Sequence, residues 1–302
     1  MLTARPCPVC GDTDDSHERF AERIDRRRIG ELSYASRKEP EFMNLRMVVC
    51  PHCELLYAPR VPEPGELARA YEDSGYESGT EAQFAASSYA QALRGRLGEL
   101  PDRDAALDIG AGNGALLAQL RGLGFSETIG VEPSRAAAGA ATEAVRAMIR
   151  IERFEPDRLP ADLRPRHFTL VIANHTLEHV AEPFELLRAA RSLLKPRGAL
   201  MIVSHDYRHL LMRLLGRCSP IIDIGHLQLF SRSSLEFALT RAGFESVSIE
   251  PFANRYPLHY WTRLLPIPRA LKQPVYARLR TAPAGQAMLK ARVGNLMAWA
   301  RG

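Results

Sequence analysis

The 302-residue chain lacks long apolar runs. Its wholly apolar stretches, such as Ala199 to Val203, fall far short of the roughly 18 residues a spanning helix needs, so no membrane span is expected. The opening residues, MLTARPCPVCGD, lack an apolar segment behind a basic start. No secretory signal is read there, and a cytoplasmic, reducing setting is expected. Cysteine is scarce, five in all, and in that setting it points to metal or thiol chemistry rather than to a disulfide framework. Glycine and proline, 21 each, are too few for a collagen-like chain. With 46% hydrophobic and 25% charged residues the chain is a globular one, and at roughly 150 residues per domain it holds about two units.

Acid is missing from one end. Between Pro251 and Gly302 there are nine basic residues and neither Asp nor Glu, a segment charge of +9 that leaves residues 1–250 at −4 within an overall +5. Tyr256, Tyr260, Trp261 and Trp299 lie among those charges. The mixture suits a membrane surface, a phosphorylated partner or RNA; a solvated helical tail is the plainer alternative.

What is present begins with two C-x-x-C pairs, Cys7-Pro-Val-Cys10 and Cys50-Pro-His-Cys53. Each forms a tight knuckle that aims two thiolates at one ion, and two knuckles complete a closed, structural zinc site. Residues 27–34 and 42–50 read as strands joining the knuckles. A redox pair would need only one C-x-x-C. Cys218 stands alone and is expected to pack as a small hydrophobe. Residues 59–65, PRVPEPG, read as a stiff linker, which sets a zinc-binding module at 1–60 and a helical cap at 61–104, with helices over 66–71 and 81–100.

From Ala105 to Glu250 apolar runs alternate with helical stretches, the βαβ signature of an α/β, doubly wound, mostly parallel sheet. Strands are expected at 105–109, 128–132, 148–151, 168–173, 199–203 and 246–249, and helices at 115–123, 135–147, 183–194 and 234–242. Asp108-Ile109-Gly110-Ala111-Gly112-Asn113-Gly114 ends the first strand and opens the first helix, where glycine lets a ligand approach the backbone. Glu132 ends the next strand, placed to accept both hydroxyls of a ribose. Gly110, Gly112 and Ala115 also satisfy a dinucleotide pattern, so NAD has to be weighed. Asp108 decides against it: an acid beside the turn repels a pyrophosphate but attracts the ammonium of S-adenosylmethionine (SAM).

LDIGAGNG, GVEPS (Gly130 to Ser134), ANHTLEHV (Ala173 to Val180) and HLQLFS (His226 to Ser231) together resemble the class I SAM-dependent methyltransferases, over about residues 60–250. The resemblance implies a Rossmann-like, seven-stranded sheet with an antiparallel final hairpin, the seventh strand at 252–260. It sets a SAM-binding core at 105–260 and a basic helical tail at 261–302. With the paired cysteines, the chain is similar to sugar C-methyltransferases of deoxysugar pathways. Pro133, Phe154, Asn174, His175 and Tyr76 are then expected beside the donor. Arg153 stands where that family often has an acid near adenine.

Methyl transfer needs alignment of the acceptor and, for an oxygen or carbon acceptor, a base, for which histidine is suited. His226 is the first candidate, since those relatives have a histidine in a similar segment; His179 is the second, with a structural role beside Glu178 as its alternative. His205-Asp206 follows the fifth strand, at the mouth or merely solvated. The leading expectation is methylation of a sugar or glycan precursor, phosphorylated or lipid-linked, with membrane contact through residues 287–300 as a helix carrying Leu289, Val293, Leu296 and Trp299. An RNA methyltransferase gripping phosphates through module and tail is the runner-up. A non-catalytic scaffold is disfavoured by the intact Asp108, glycines and Glu132.

Overall fold

The computed structural model describes residues 2–35, 41–77, 79–158, 163, 165–265, 267 and 269–302. The N-terminal part forms β1 (Leu2–Ala4), β2 (Glu18–Phe20), β3 (Met47–Val49), β4 (Leu56–Tyr57) and β5 (Arg60–Pro62), followed by α1 (Pro64–Glu72) and α2 (Gly79–Arg94). Then come β6 (Ala105–Ile109), α3 (Ala115–Gly122), β7 (Glu127–Val131), α4 (Arg135–Gly139), α5 (Glu143–Arg146), β8 (Ile149–Arg150), β9 (Phe168–Ile172) and α6 (Pro183–Leu193). The chain ends with β10 (Leu194–His205), α7 (Leu210–Leu215), β11 (Gln228–Leu229), α8 (Arg232–Arg241), β12 (Ser246–Pro257), α9 (Leu258–Arg263), α10 (Arg269–Thr281) and β13 (Met288–Arg301).

Seven strands make the main sheet in the order β12-β13-β10-β9-β6-β7-β8. β10, β9, β6, β7 and β8 run parallel, and β13 lies antiparallel to both β10 and β12. Every residue of β6 and of β9 is buried, as parallel strands covered by helices on both faces must be. One face carries Leu107 and Ile109 against Leu187 of α6 and Leu235 and Leu239 of α8. The other carries Ala106, Ile172 and Met201 against Leu117 and Leu120 of α3 and the buried stripe Ala82, Ala85, Ala86, Tyr89, Ala90 and Leu93 of α2, whose spacing of three and four residues is that of one helix face.

The seventh strand is not where it was expected. Residues 246–257 form one continuous strand, residues 258–263 turn into α9, and the missing strand is Met288–Arg301. The expected helix over 287–300 is therefore part of the sheet, paired from Ala199↔Arg301 to His205↔Asn295. Leu296, Ala298 and Ala300 face one side while Met297 and Trp299 face the other, all buried. A run apolar on both faces has no periodicity to separate helix from strand, and burial between two neighbours settles it as strand. Leu296 and Trp299 are thus core residues, and no membrane-facing stripe exists there.

Five local expectations also change. Residues 27–34 hold no strand: Arg26–Arg28 is one turn of 3-10 helix capped by Asp25, and Ile29 and Leu32 stay exposed, so no apolar face is available to pair. In 42–50 the strand is only Met47–Val49, with a single bridge from Asn44 to Arg23 before it. The stretch 59–65 is not a free linker: Val61 is buried, β5 pairs with β1, and Pro64 starts α1. The helix expected over 135–147 breaks after Gly139, and Cys218 is exposed rather than packed.

Candidate functional site

A cavity of about 940 Å³ opens at the carboxyl ends of the parallel strands. Asp108, Gly110, Ala111, Gly112 and Asn113 enter it from the turn after β6, Glu132 and Pro133 from the end of β7. Gly110 has φ +80°, and a Cβ there would stand 2.5 Å from Thr176 Oγ1, which donates to the Ile109 carbonyl; only glycine fits. Gly114, expected beside the donor, does not reach the cavity. It is the left-handed N-cap of α3, and a Cβ would strike Val145 at 2.4 Å, so its smallness serves packing against α5.

Glu132 accepts from the Gly112 N–H and the Ser134 N–H, each at 2.8 Å, one on each carboxylate oxygen. This fixes the carboxylate and leaves each oxygen a lone pair for a diol. Burial raises its pKa despite those two donors. Asp108 is 4% exposed and accepts no hydrogen bond among the described residues. Burial, and then the charge of Glu132, push its carboxyl up to about 7. An anion that a cation is needed to stabilise is what the sequence argument requires there. Tyr76 and Phe154 line the same side. Arg153 pairs with Glu155 at 2.7 Å and Glu72 at 3.4 Å. Asn174 Oδ1 accepts from Val203 N–H at 2.9 Å, and its Nδ2 is buried without a partner among the described residues.

Four histidines, from the ends of β9 and β10, the turn after β9 and the loop before β11, line another part of the cavity. Ring centroids are 4.5 Å apart for His175 and His205, 5.5 Å for His205 and His226, and 4.7 Å for His226 and His179. His175, expected beside the donor, is thus turned towards this cluster. Its φ of 51° is a strained value for a non-glycine residue, fixed by its N–H on Val203 O. His226 Nδ1 donates to Ile221 O at 2.8 Å, which leaves the lone pair on Nε2, and burial lowers its pKa well below the usual value. His179 Nδ1 lies 2.9 Å from both the Tyr71 hydroxyl and Gly225 O, so this ring ties α1 to the loop before His226. Burial lowers its pKa too. Glu178 is wholly buried; Oε1 accepts from Ser204 Oγ and the His205 N–H.

The loop carrying His226 is held by the N-terminal residues. β11, two residues beyond His226, pairs with β4, extending the small sheet to the order β11-β4-β3-β2. Arg5 donates to the carbonyls of Ala58, Ala181 and Leu227 and to Gln228 Oε1. Burial lowers its pKa to about 10. Behind that sheet the four sulfurs of Cys7, Cys10, Cys50 and Cys53 lie within 4.8 Å of one another, Cys7 3.5 Å from Cys53 and Cys10 3.4 Å from Cys50. A tetrahedral ion with metal–sulfur bonds of about 2.3 Å spaces its ligands by about 3.8 Å, so the set fits one. Without a cation, burial pushes the Cys10 thiol up to about 12 and contact with Cys7 raises that of Cys53. A dication reverses both.

The sequence reading missed the contribution of the final hairpin, β12 and β13 with α9 between them. Tyr256, Tyr260, Trp261, Asn254 and Asn295 all reach the cavity, and Arg263 anchors the segment on Glu77 at 2.8 Å. Their signal was the aromatic cluster at 256–261, read as part of a charged tail. His205 is likewise no solvated terminus: it is packed in the histidine wall.

The family described as Methyltransferase domain matches residues 82–249, more than half of the chain. The chain belongs to that family. With the glycine turn, Asp108 and Glu132 arranged as described, it is a SAM-dependent methyltransferase. No curated protein matches it. Among solved structures, the YcgJ protein of Bacillus subtilis is 15% identical, with a TM-score of 0.50 over 70% of this chain and 98% of that one, a likeness of fold. A SAM-dependent methyltransferase of Thermotoga maritima is 21% identical, TM-score 0.47, over 73% and 90%. Phosphoethanolamine N-methyltransferase 2 of Haemonchus contortus, solved with SAM, is 15% identical, TM-score 0.45, over 70% and 52%.

Proposed function

We propose that the protein methylates a sugar or glycan-precursor acceptor, with His226 as the base and a structural zinc ion in the Cys7, Cys10, Cys50 and Cys53 cluster. When bound, SAM supplies an electrophilic methyl group on a sulfonium. Asp108 would attract its ammonium, Glu132 would take the ribose hydroxyls, and the glycines at Gly110 and Gly112 would let it approach the backbone. Asn174 Nδ2 suits its carboxylate, with Phe154 on the adenine and Tyr76 over the donor. A cavity of about 940 Å³ sits at the top of the roughly 300–1,000 Å³ range of small-molecule sites and has room for two partners.

The observation that carries the acceptor assignment is the polar histidine wall of the cavity. Burial keeps the His226 imidazole neutral, and its Nε2 holds the lone pair that would take a hydroxyl proton. Elsewhere in the same cavity Asn254 Oδ1 is buried without a partner among the described residues, and Tyr260 and Trp261 add flat faces, groups matched to a polyhydroxylated ring. The paired cysteines serve position, because the strand that follows His226 is built onto β4. α7 lines the cavity with Leu211, Met212 and Leu215 while Leu210 and Leu214 project outward, 66% and 75% exposed, beside Arg213 and Arg217. That helix suits peripheral contact with a membrane bearing a lipid-linked acceptor.

The test is transfer from labelled SAM to a panel of nucleotide sugars, lipid-linked glycans in anionic vesicles, and RNA. Label is expected on a sugar. Label on RNA alone overturns the acceptor class in favour of the phosphate-gripping reading.

A further inference from the structure

The corner formed by His175, Glu178 and His205 has polar atoms that methyl transfer does not use. Glu178 is wholly buried, and its Oε2 finds no hydrogen-bond partner among the described residues. The same holds for His175 Nδ1, which lies 3.7 Å from Glu178 Oε1. Two such atoms on neighbouring side chains in the interior are costly unless something satisfies both. His175 is moreover held in a strained backbone conformation, and its ring faces that of His205.

His205 is prepared in a different way. Its Nδ1 donates to Asn295 Oδ1 at 2.9 Å, which leaves the lone pair on Nε2. A ring whose second nitrogen is tied to an oxygen acceptor is the usual arrangement of a metal-ligating histidine. One donor atom from each of His175, Glu178 and His205 lies within 4.8 Å of the others. Bonds of about 2.1 Å in a tetrahedral site put ligands about 3.4 Å apart, so modest closure of the three side chains completes a coordination set. Two imidazoles and a carboxylate are ligands for a first-row divalent cation such as Zn2+ or Co2+.

We propose that His175, Glu178 and His205 bind a divalent first-row cation whose open coordination position faces the acceptor side of the cavity, next to His226. Three protein ligands with a fourth position open are the composition of a catalytic rather than a structural site. The site rests on the acceptor reading above and sharpens it: the acceptor presents a hydroxyl or enol oxygen to the cation. As the O–H bond breaks, the proton goes to His226 Nε2 and the electron pair stays on the acceptor oxygen beside the cation.

The test uses the full chain. Metal content after dialysis, and titration of the chelator-stripped protein with Co2+, are measured for wild type, His175→Ala and His205→Ala. Wild type is expected to take one cation with intense thiolate-to-cobalt absorption, from the cysteines, and a second with only weak visible bands. The second is lost in both variants while the thiolate signal persists, which shows that each has folded. A wild type that takes cobalt only at the thiolates, or variants that keep the weak bands, overturns the site. Calorimetry of SAM on the same samples separates the two readings. Donor binding without the second cation sinks this inference alone, whereas absence of donor binding sinks the methyltransferase reading itself.

Discussion

The heart of the proposed donor cradle is one unbroken stretch between Ala105 and Glu132, strand, glycine turn, helix, strand and terminal carboxylate, with Tyr76, Phe154 and Asn174 added from elsewhere. The proposed acceptor wall is assembled from segments far apart in the chain. Tyr71 comes from α1, His179 from the turn after β9, His205 from the end of β10, and His226 from the loop before β11. Tyr256 and Asn295 come from the final hairpin. The donor cradle thus depends on local geometry, a positive φ at Gly110 and two backbone donors on Glu132. The acceptor wall depends on tertiary ties, and the N-terminal sheet supplies several of them. The two sides therefore differ in what disturbs them, and variants that hit one side should spare the other.

The largest separation is expected at His226. His226→Gln removes the proposed base and should lower turnover by about 10²- to 10⁴-fold, the usual worth of a positioned general base. SAM affinity, measured by calorimetry, should change by less than about two-fold, since the ring stands on the acceptor wall. An equal loss in both quantities would place His226 in the donor cradle and dissolve the division.

The converse variant is Asp108→Asn. A hydrogen bond to a charged group contributes about 1.5–3 kcal/mol, so the Kd for SAM should rise by roughly 10- to 100-fold. The wild type adds a pH signature. Burial holds the Asp108 carboxyl at about 7 in the free protein. Above that pH the carboxylate is present to meet the ammonium; below it the group must lose a proton to bind. Affinity should therefore weaken by about five-fold from pH 7 to pH 6 and level off above pH 8. In Asp108→Asn the curve should be flat over that window. A wild-type curve already flat would show that Asp108 is ionised without the ligand and that its burial is not what tunes the donor.

The same contrast governs what the residues disclosed before folding. β6 and β9 fall where their apolar runs place them, and the cradle is readable because strand, turn and acid sit within one βαβ unit. β13 is the counter-example. Leu289, Val293, Leu296 and Trp299 are spaced for a helix face, yet pairing with β12, and from Asn295 onward also with β10, makes their segment a strand, buried from Gly294 to Ala300 while Leu289 stays exposed. No local pattern carries that information, because it depends on neighbours roughly 90 and 40 residues upstream. The histidines were visible one by one, but their joining into a wall was not, since their spacing in sequence follows no helix or strand period. The C-x-x-C pairs were legible as a set because the chemistry of thiolates restricts what four of them do together.

Arg5 tests how far the acceptor wall relies on the N-terminal residues. Its guanidinium spans Ala58, Ala181, Leu227 and Gln228, joining the end of β4, the turn after His179 and the strand that follows His226. Lysine keeps the charge but not the planar fork, so Arg5→Lys leaves carbonyls unsatisfied in a part-buried junction. The expected cost is about 1–3 kcal/mol of stability, read as a fall in Tm. Turnover should drop by less than about ten-fold, because the base is displaced rather than removed. The Kd for SAM should not move, since none of the four acceptors belongs to the turn after β6 or to Glu132. If donor affinity falls in step with turnover, the N-terminal sheet props up the whole cavity, and the separation between a locally built cradle and a distantly assembled wall gives way to a single cooperative unit.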